Sequence, residues 1–380
     1  MTKKNIAVLI DWYLPGNKAG GPVKSVYSML NLLKNEFNFF VITTNCDLGS
    51  KTPYKNIKAD TWESHNDIPV YYFSKEKLKS KNILDVINGV DPDIIYLNSF
   101  WSYNFSLLPL RFKKAGKIKA EIVLAPRGML GKGALSIKPV KKKLFLSLIK
   151  FIGLHSKTIF HATNTEEEKE IKKVLRKADV KIAANINSTS LVEKRTITKE
   201  VGELKLFYLS RIAKVKNLHY ALEILNKIET KGKITYDIYG SLEDKVYWNQ
   251  SETIIKKLPK NISVNYKGDL SFEEVQPMIG KYHYLFLPTL NENFGHSIYE
   301  TLMSACPVII SDTTPWNEVN EESCGFAISL KDKQEFENVI KSLVSFDDDL
   351  YKYMCQNSII FMKEKINTDT DLKAYKALFA

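Results

Sequence analysis

Short aliphatic and β-branched runs alternate along the chain with longer stretches whose apolar residues recur every three to four positions. Ile6 to Ile10, Phe39 to Thr44, Val70 to Phe73, Ile94 to Leu97 and Ile122 to Ala125 read as strands. Between the first two, Val23, Val26, Tyr27, Leu30 and Leu33 mark a helix with one buried face. The alternation predicts an α/β fold, a parallel sheet covered by helices. The rhythm lapses over Asn185 to Gly202, a polar stretch that reads as a linker. It resumes with strands at Leu206 to Leu209, Thr235 to Tyr239, Ile262 to Tyr266, Tyr284 to Leu287 and Val308 to Ile310. Two Rossmann-like domains are expected, residues 1–190 and 191–365, facing each other across a cleft. The last helix, within 366–380, has the option of crossing back to complete the first. Ligands in such sheets bind beyond the carboxyl ends of the strands, so the loops there should carry the chemistry.

The composition fits this picture. With 44% hydrophobic and 26% charged residues in 380, the chain is too apolar for disorder and too polar for a bundle of membrane spans. Its formal charge of +12 would suit an acidic partner, but 50 of the 55 cations are Lys and only five are Arg. Base-edge readout leans on Arg forks, so a solvated surface explains the excess better than nucleic acid does. Cys46, Cys306, Cys324 and Cys355 are scattered, and no His or Cys falls at metal-ligand spacing. No disulfide or metal is expected, and reduced thiols suit the cytoplasm. The apolar run that ends at Asp11 is too short for a signal peptide, and none is long enough to cross a membrane.

Three loops could bind a phosphorylated ligand. After the first strand, Gly20-Gly21-Pro22 opens a helix whose free N–H groups can receive phosphate, unless the loop is a plain tight turn. It is neither G-x-G-x-x-G nor G-x-x-x-x-G-K-[ST], which argues against a dinucleotide dehydrogenase and a P-loop NTPase. The second loop is Leu290-Asn291-Glu292-Asn293-Phe294-Gly295-His296-Ser297, leading into a helix that carries Glu300. N–H groups around Phe294 to Ser297 can hold a diphosphate, and the carboxylates can accept sugar hydroxyls. Alternatively, Ser297-x-x-Glu300 is a capping box and Glu292 a solvated loop residue. In the third, Ser210 to Asn217, Arg211 and Lys216 can offset negative charge on a leaving group. Arg127, after the fifth strand, stands out because Arg is scarce; it and Arg211 have surface ion pairs as the plain alternative.

Together these loops resemble the retaining nucleotide-sugar glycosyltransferases of GT-B fold, family 4 type, over nearly the whole chain. The match rests on E-x7-E from Glu292 to Glu300, on S-R-x4-K from Ser210 to Lys216, and on Ala305-Cys306-Pro307 followed by Thr314-Pro315-Trp316-Asn317-Glu318. Asn98 to Ser102 and Ala125 to Leu130 resemble acceptor-side loops of the branch that builds bacterial surface polysaccharides. The resemblance implies transfer of a hexose or N-acetylhexosamine from a nucleoside diphosphate, with retention, to a saccharide or polyprenyl-diphosphate-linked acceptor of O-antigen, capsule or exopolysaccharide. Arg211, Lys216, Glu292 and Arg127 would be catalytic. Gly20, Gly21, Asn293, Phe294, Gly295, His296, Ser297 and Glu300 would bind the donor, Glu300 at its ribose and Glu292 at its sugar. Asn98, Trp101 and Arg127 would serve the acceptor side. Arg127 stands where many members have a His, so it either takes over the donor sugar or serves the acceptor. No metal or other cofactor is implied, because the D-x-D triplets at Asp91, Asp347 and Asp369 read as turn and capping residues.

A Lys-rich segment, with Lys138, Lys141, Lys142, Lys143 and Lys150 around an apolar helix, could rest on the anionic inner face of the cytoplasmic membrane. The alternative is a helix packed on its own sheet. Two other functions compete: a GT-B-fold nucleotide-sugar epimerase, and a non-catalytic protein that binds polyanions through its lysines.

Overall fold

The structure is a computed structural model that describes residues 3–16, 18–136, 139–185, 190–366 and 368–380. The chain divides into two compact units, residues 1–188 with 368–380, and residues 189–367. The first is built on strands β1 (Asn5–Leu9), β2 (Asn38–Thr44), β3 (Trp62–His65), β4 (Ile68–Phe73), β5 (Ile94–Asn98), β6 (Glu121–Ala125), β7 (Thr158–Ala162) and β8 (Asp179–Ile182). They form one sheet in the order β3-β4-β2-β1-β5-β6-β7-β8. Every neighbouring pair is parallel except β3 with β4. That pair is a hairpin turned by Asn66 and Asp67, both at positive φ, the geometry of a primed two-residue turn. Ile6 to Leu9 are wholly buried, as a central parallel strand covered on both faces requires.

The second unit carries β9 (Glu203–Leu209), β10 (Lys233–Tyr239), β11 (Ile262–Gly268), β12 (Tyr284–Leu287), β13 (Val308–Ser311) and β14 (Gly325–Ile328). All are parallel, in the order β11-β10-β9-β12-β13-β14. In each unit the first strand lies between its successor in sequence and a later strand, β1 between β2 and β5, β9 between β10 and β12. Loops leaving opposite sides there part and open a crevice.

Two features go beyond the hydrophobic pattern. The supposed linker is fastened to the second unit from residue 192 on: Val192 N donates to the Met303 carbonyl (2.8 Å). Arg195 donates to the carbonyls of Ser304 (3.0 Å), Ile279 (3.1 Å) and Tyr282, and Lys199 to that of Phe346 (2.9 Å). Cations satisfied by backbone oxygens, the half-buried Arg195 and the buried Lys199, leave no apolar period to read. The final helix, Thr368–Leu378, returns to the first unit, where Tyr375, Leu378 and Phe379 are buried and the Phe379 ring meets Phe37 and Phe39 edge-on.

Two of the D-x-D triplets do local work, while the Asp369 side chain lies outside the described residues. Asp93 accepts Asn5 N (2.8 Å), and Asp347 caps the helix Asp348–Lys365 by accepting Leu350 N (3.0 Å). All four cysteines are free thiols.

Candidate functional site

In the second unit the site grows from the loops after β9 and β12, which are adjacent strands. Hydrogen bonds stitch the two loops together: Leu290 N donates to the Val215 carbonyl (2.9 Å), Thr289 Oγ1 to the same oxygen (3.1 Å), and Asn217 Nδ2 to the Pro288 carbonyl (2.9 Å). This brings Lys216 Nζ to 2.6 Å from Glu292 Oε1, with 14% and 10% of the two side chains exposed. Glu292 is therefore a largely buried ion-pair partner and not a solvated loop residue.

Beyond Glu292 the chain turns through Gly295 at φ 80°, which starts the helix His296–Met303. Its first-turn N–H groups have no carbonyl within the helix to accept them and lie at the positive end of its dipole. The cap is backbone only, so Ser297-x-x-Glu300 is not a capping box; it begins one residue inside the helix. Glu300, one turn in, is buried. Asn293 and His296 flank Phe294, whose ring packs on His296, Tyr299 and Trp316, and Trp316 Nε1 donates to the Phe294 carbonyl. A Cβ at Gly295 would sit 3.1 Å from Ile298 Cδ1 and 3.2 Å from Trp316 Nε1, so both the backbone angle and the space call for glycine.

Arg211 is held in an exposed ion pair with Glu243, beyond β10. Sequence reasoning did not single out Glu243, nor Gly240, where a Cβ would collide with the Ser210 carbonyl just before Arg211. The only signal for Gly240 was a glycine at a strand's carboxyl end.

In the first unit, Gly20 (φ 64°) caps the helix Gly21–Leu33, with Pro22 in its first turn and the Gly20 carbonyl accepting Val23 N (3.1 Å). Asn17 of this loop lies outside the described residues. Asp11, at the end of β1, accepts the Ser102 hydroxyl (2.7 Å), and burial raises its pKa. In sequence it merely ended an apolar run.

Asn98 closes β5 and Arg127 follows β6 at φ 55°; the guanidinium meets Asn98 Oδ1 at 2.9 Å from Nη2. Trp101 instead packs between Phe100 and Phe145, with the Lys142 ammonium 5.5 Å above its ring. Lys142 Nζ also donates to the Ala134 carbonyl (2.5 Å), so it is turned inward, away from the exposed Lys141, Lys143 and Lys150. Lys138 lies outside the described residues. On the helix Pro139–Phe151, Leu146 and Ile149 face the core, while Val140, Leu144, Leu148 and Phe151 are 79%, 74%, 53% and 90% exposed. No helix among the described residues is long and apolar enough to cross a membrane. Nor do those residues contain a group of three or more His, Cys, Asp or Glu able to hold a metal ion.

Comparison with known proteins adds to the geometry. Residues 190–359 match the family described as Glycosyl transferases group 1. No curated protein matches the sequence. Among solved structures, the chain is similar to HepE of Anabaena in complex with UDP and glucose, at 13% identity and TM-score 0.71, with 99% of each chain covered. It is similar to a sucrose-phosphate synthase from Thermosynechococcus elongatus, at 14% identity and TM-score 0.72, again with 99% of each covered. It is also similar to WaaG, a glycosyltransferase involved in lipopolysaccharide biosynthesis, at 12% identity and TM-score 0.66, with 98% of each covered. At such identities the likeness establishes the fold. The chain therefore has the GT-B fold, and its residues 190–359 carry a Glycosyl transferases group 1 domain, which supports a glycosyltransferase.

Proposed function

We propose that the chain is a retaining glycosyltransferase that moves a hexose or N-acetylhexosamine from a nucleoside diphosphate to a saccharide, free or polyprenyl-diphosphate-linked, in building a cell-surface polysaccharide. One observation carries the reading: at the crevice of the second sheet, Lys216 and Glu292 sit as a largely buried pair in the loops that lead to the helix bearing the buried Glu300. The cation and the N–H groups suit a diphosphate, and the carboxylates suit hydroxyls of ribose and sugar. Holding Glu292 leaves Lys216 two further ammonium hydrogens for phosphate oxygens.

In the transfer, the bond from the anomeric carbon to the leaving phosphate oxygen breaks. A bond to the acceptor hydroxyl oxygen forms on the same face, and the hydroxyl proton passes to the departing phosphate. Charge grows on the diphosphate as the bond stretches, so Lys216, Arg211 and the helix N–H groups stabilise the transition state more than the ground state. In this reading no metal is needed, and EDTA leaves the rate unchanged.

The test is a thermal-shift titration with UDP-, GDP-, ADP- and dTDP-sugars, repeated with Glu300→Ala and Arg211→Ala. A saturable rise with one nucleotide class, lost in both variants, supports the reading. No rise with any nucleotide, alongside tight salt-sensitive binding of polyanions, overturns it. Proton NMR of the product's anomeric centre tests retention.

The exposed stripe Val140, Leu144, Leu148 and Phe151, flanked by Lys141, Lys143 and Lys150, adds a peripheral contact with the inner face of the cytoplasmic membrane to the reading. Residues spaced four, four and three apart share one helix face, which suits an acyl boundary under anionic headgroups.

A further inference from the structure

Among the described residues, Arg127 carries a positive charge with no anion beside it. Its guanidinium donates to Asn98 Oδ1 from Nε (3.3 Å) and Nη2 (2.9 Å), to the Tyr96 hydroxyl from Nη2 (3.1 Å) and to Asn185 Oδ1 from Nη1 (2.6 Å). All these acceptors are neutral. No carboxylate among the described residues lies within 4.0 Å of it. Glu167, on the neighbouring helix Thr165–Val174, is occupied by Gly128 N (2.6 Å) and by Thr163 N (2.8 Å) and Oγ1 (2.6 Å). His161 is neutral: burial brings its pKa down to about 3. Its Nε2 faces the Ala183 carbonyl (2.8 Å), which can only accept, so Nδ1 takes the Tyr96 proton (2.7 Å) and leaves that oxygen free to accept from Arg127.

Asn98 supplies a second, independent sign. It is 1% exposed, and its Oδ1 is fixed towards the guanidinium, so the orientation of its amide is settled. The Nδ2 on the other side has no hydrogen-bond partner among the described residues. A buried donor left in this way wants an acceptor, and native interiors rarely leave one unmet. The backbone is held against its preference on both loops, with Ser99 at φ 95° and Arg127 at φ 55°, as at sites where geometry serves a ligand. A fixed cation and an unmet donor at the carboxyl ends of adjacent strands match a ligand rich in anionic oxygen.

We propose that Arg127 and the Asn98 amide bind an anionic group, a phosphate or carboxylate, carried by the acceptor. That the group belongs to an acceptor rests on the transferase reading; the anion site itself does not. The donor's diphosphate has the same chemistry, and the experiment separates the two.

The full-length protein is titrated with inorganic phosphate at constant ionic strength, followed by thermal shift, as wild type, Arg127→Gln and Asn98→Asp. The carboxylate introduced by N98D would neutralise Arg127 in place while keeping its hydrogen bonds, so this variant should melt at or above the wild-type temperature. Saturable stabilisation of the wild type, with affinity at least tenfold weaker in both variants, is expected. No stabilisation of the wild type, or equal stabilisation of N98D, overturns the site. Nucleotide sugars form the second arm. Wild-type nucleotide shifts preserved in N98D assign the anion to the acceptor, whereas their loss together with phosphate binding assigns it to the donor and overturns the acceptor claim. Phosphate stabilisation without any nucleotide shift in the wild type overturns the transferase reading and the acceptor claim with it, and leaves the anion site standing.

Discussion

Lys216 and Glu292 are the residues on which the proposed donor site turns. The spacing of S-R-x4-K and E-x7-E marked both in the sequence, yet nothing in that spacing says they touch; the Val215–Leu290 and Asn217–Pro288 bonds bring them together. Removing one partner leaves the other charge unpaired and largely out of water, so Glu292→Gln should lower the unfolding free energy by about 1–3 kcal/mol. The Lys216→Met, Glu292→Leu double variant should recover most of that loss by chemical denaturation and still fail to bind nucleotide sugar. Equal loss in the single and double variants would show that the pair does not act as a pair. Arg211 teaches the converse, since its type and position were legible but its direction, towards Glu243, was not.

At the scale of elements, short glycine turns aim the groups of the proposed site. Gly295→Ala forces an alanine into left-handed backbone and against Ile298, which should cost about 1–3 kcal/mol, shift the start of the His296–Met303 helix and abolish nucleotide-induced stabilisation. Gly240→Ala should be at least as damaging, because the obstacle there is the Ser210 backbone and not a movable side chain. Melting curves with and without nucleotide check both. On the helix Pro139–Phe151, hydropathy alone could not say which apolar residues face the core. Leu146 and Ile149 do, and Leu144 and Phe151 do not. Leu144→Asp with Phe151→Asp should therefore abolish co-sedimentation with anionic vesicles without lowering the melting temperature. The charge variant Lys141→Glu with Lys143→Glu should weaken it in a salt-dependent way. Unchanged co-sedimentation in both would remove the membrane contact.

At the scale of the molecule, residues 368–380 close the first unit from the far end of the chain. Tyr375, Leu378 and Phe379 are buried there, worth about 1.5–3 kcal/mol each, so a chain ending at 367 should lose cooperative unfolding of the first unit by several kcal/mol, read by limited proteolysis. Acid should weaken both units. Burial lowers the pKa of His161 to about 3 and of His283 to about 4, so between these values and the unfolded value near 6.5 the unfolded chain binds more protons than the native one. Stability is then full above about pH 6.5 and falls as the pH drops through that window; His161→Phe, which cannot take up the proton, should flatten the slope measured by urea unfolding at pH 7 to 4. The sequence by itself determined the α/β class and most strands of both sheets, because buried parallel strands leave short apolar runs bounded by turn residues, in alternation with segments of helical period. It missed β3, β7, β8 and β14, which are four or five residues long and, apart from β7, lie at sheet edges where burial is partial. It also determined which loops hold the scarce Arg and the paired carboxylates, since those depend on residue type and strand order alone. Only the tertiary structure decided that Lys216 meets Glu292, that Arg127 rests on neutral oxygens and that Arg195 and Lys199 turn their charged heads onto backbone carbonyls. Each of those depends on distances across the sheet between residues far apart in sequence, and local periodicity carries no record of them.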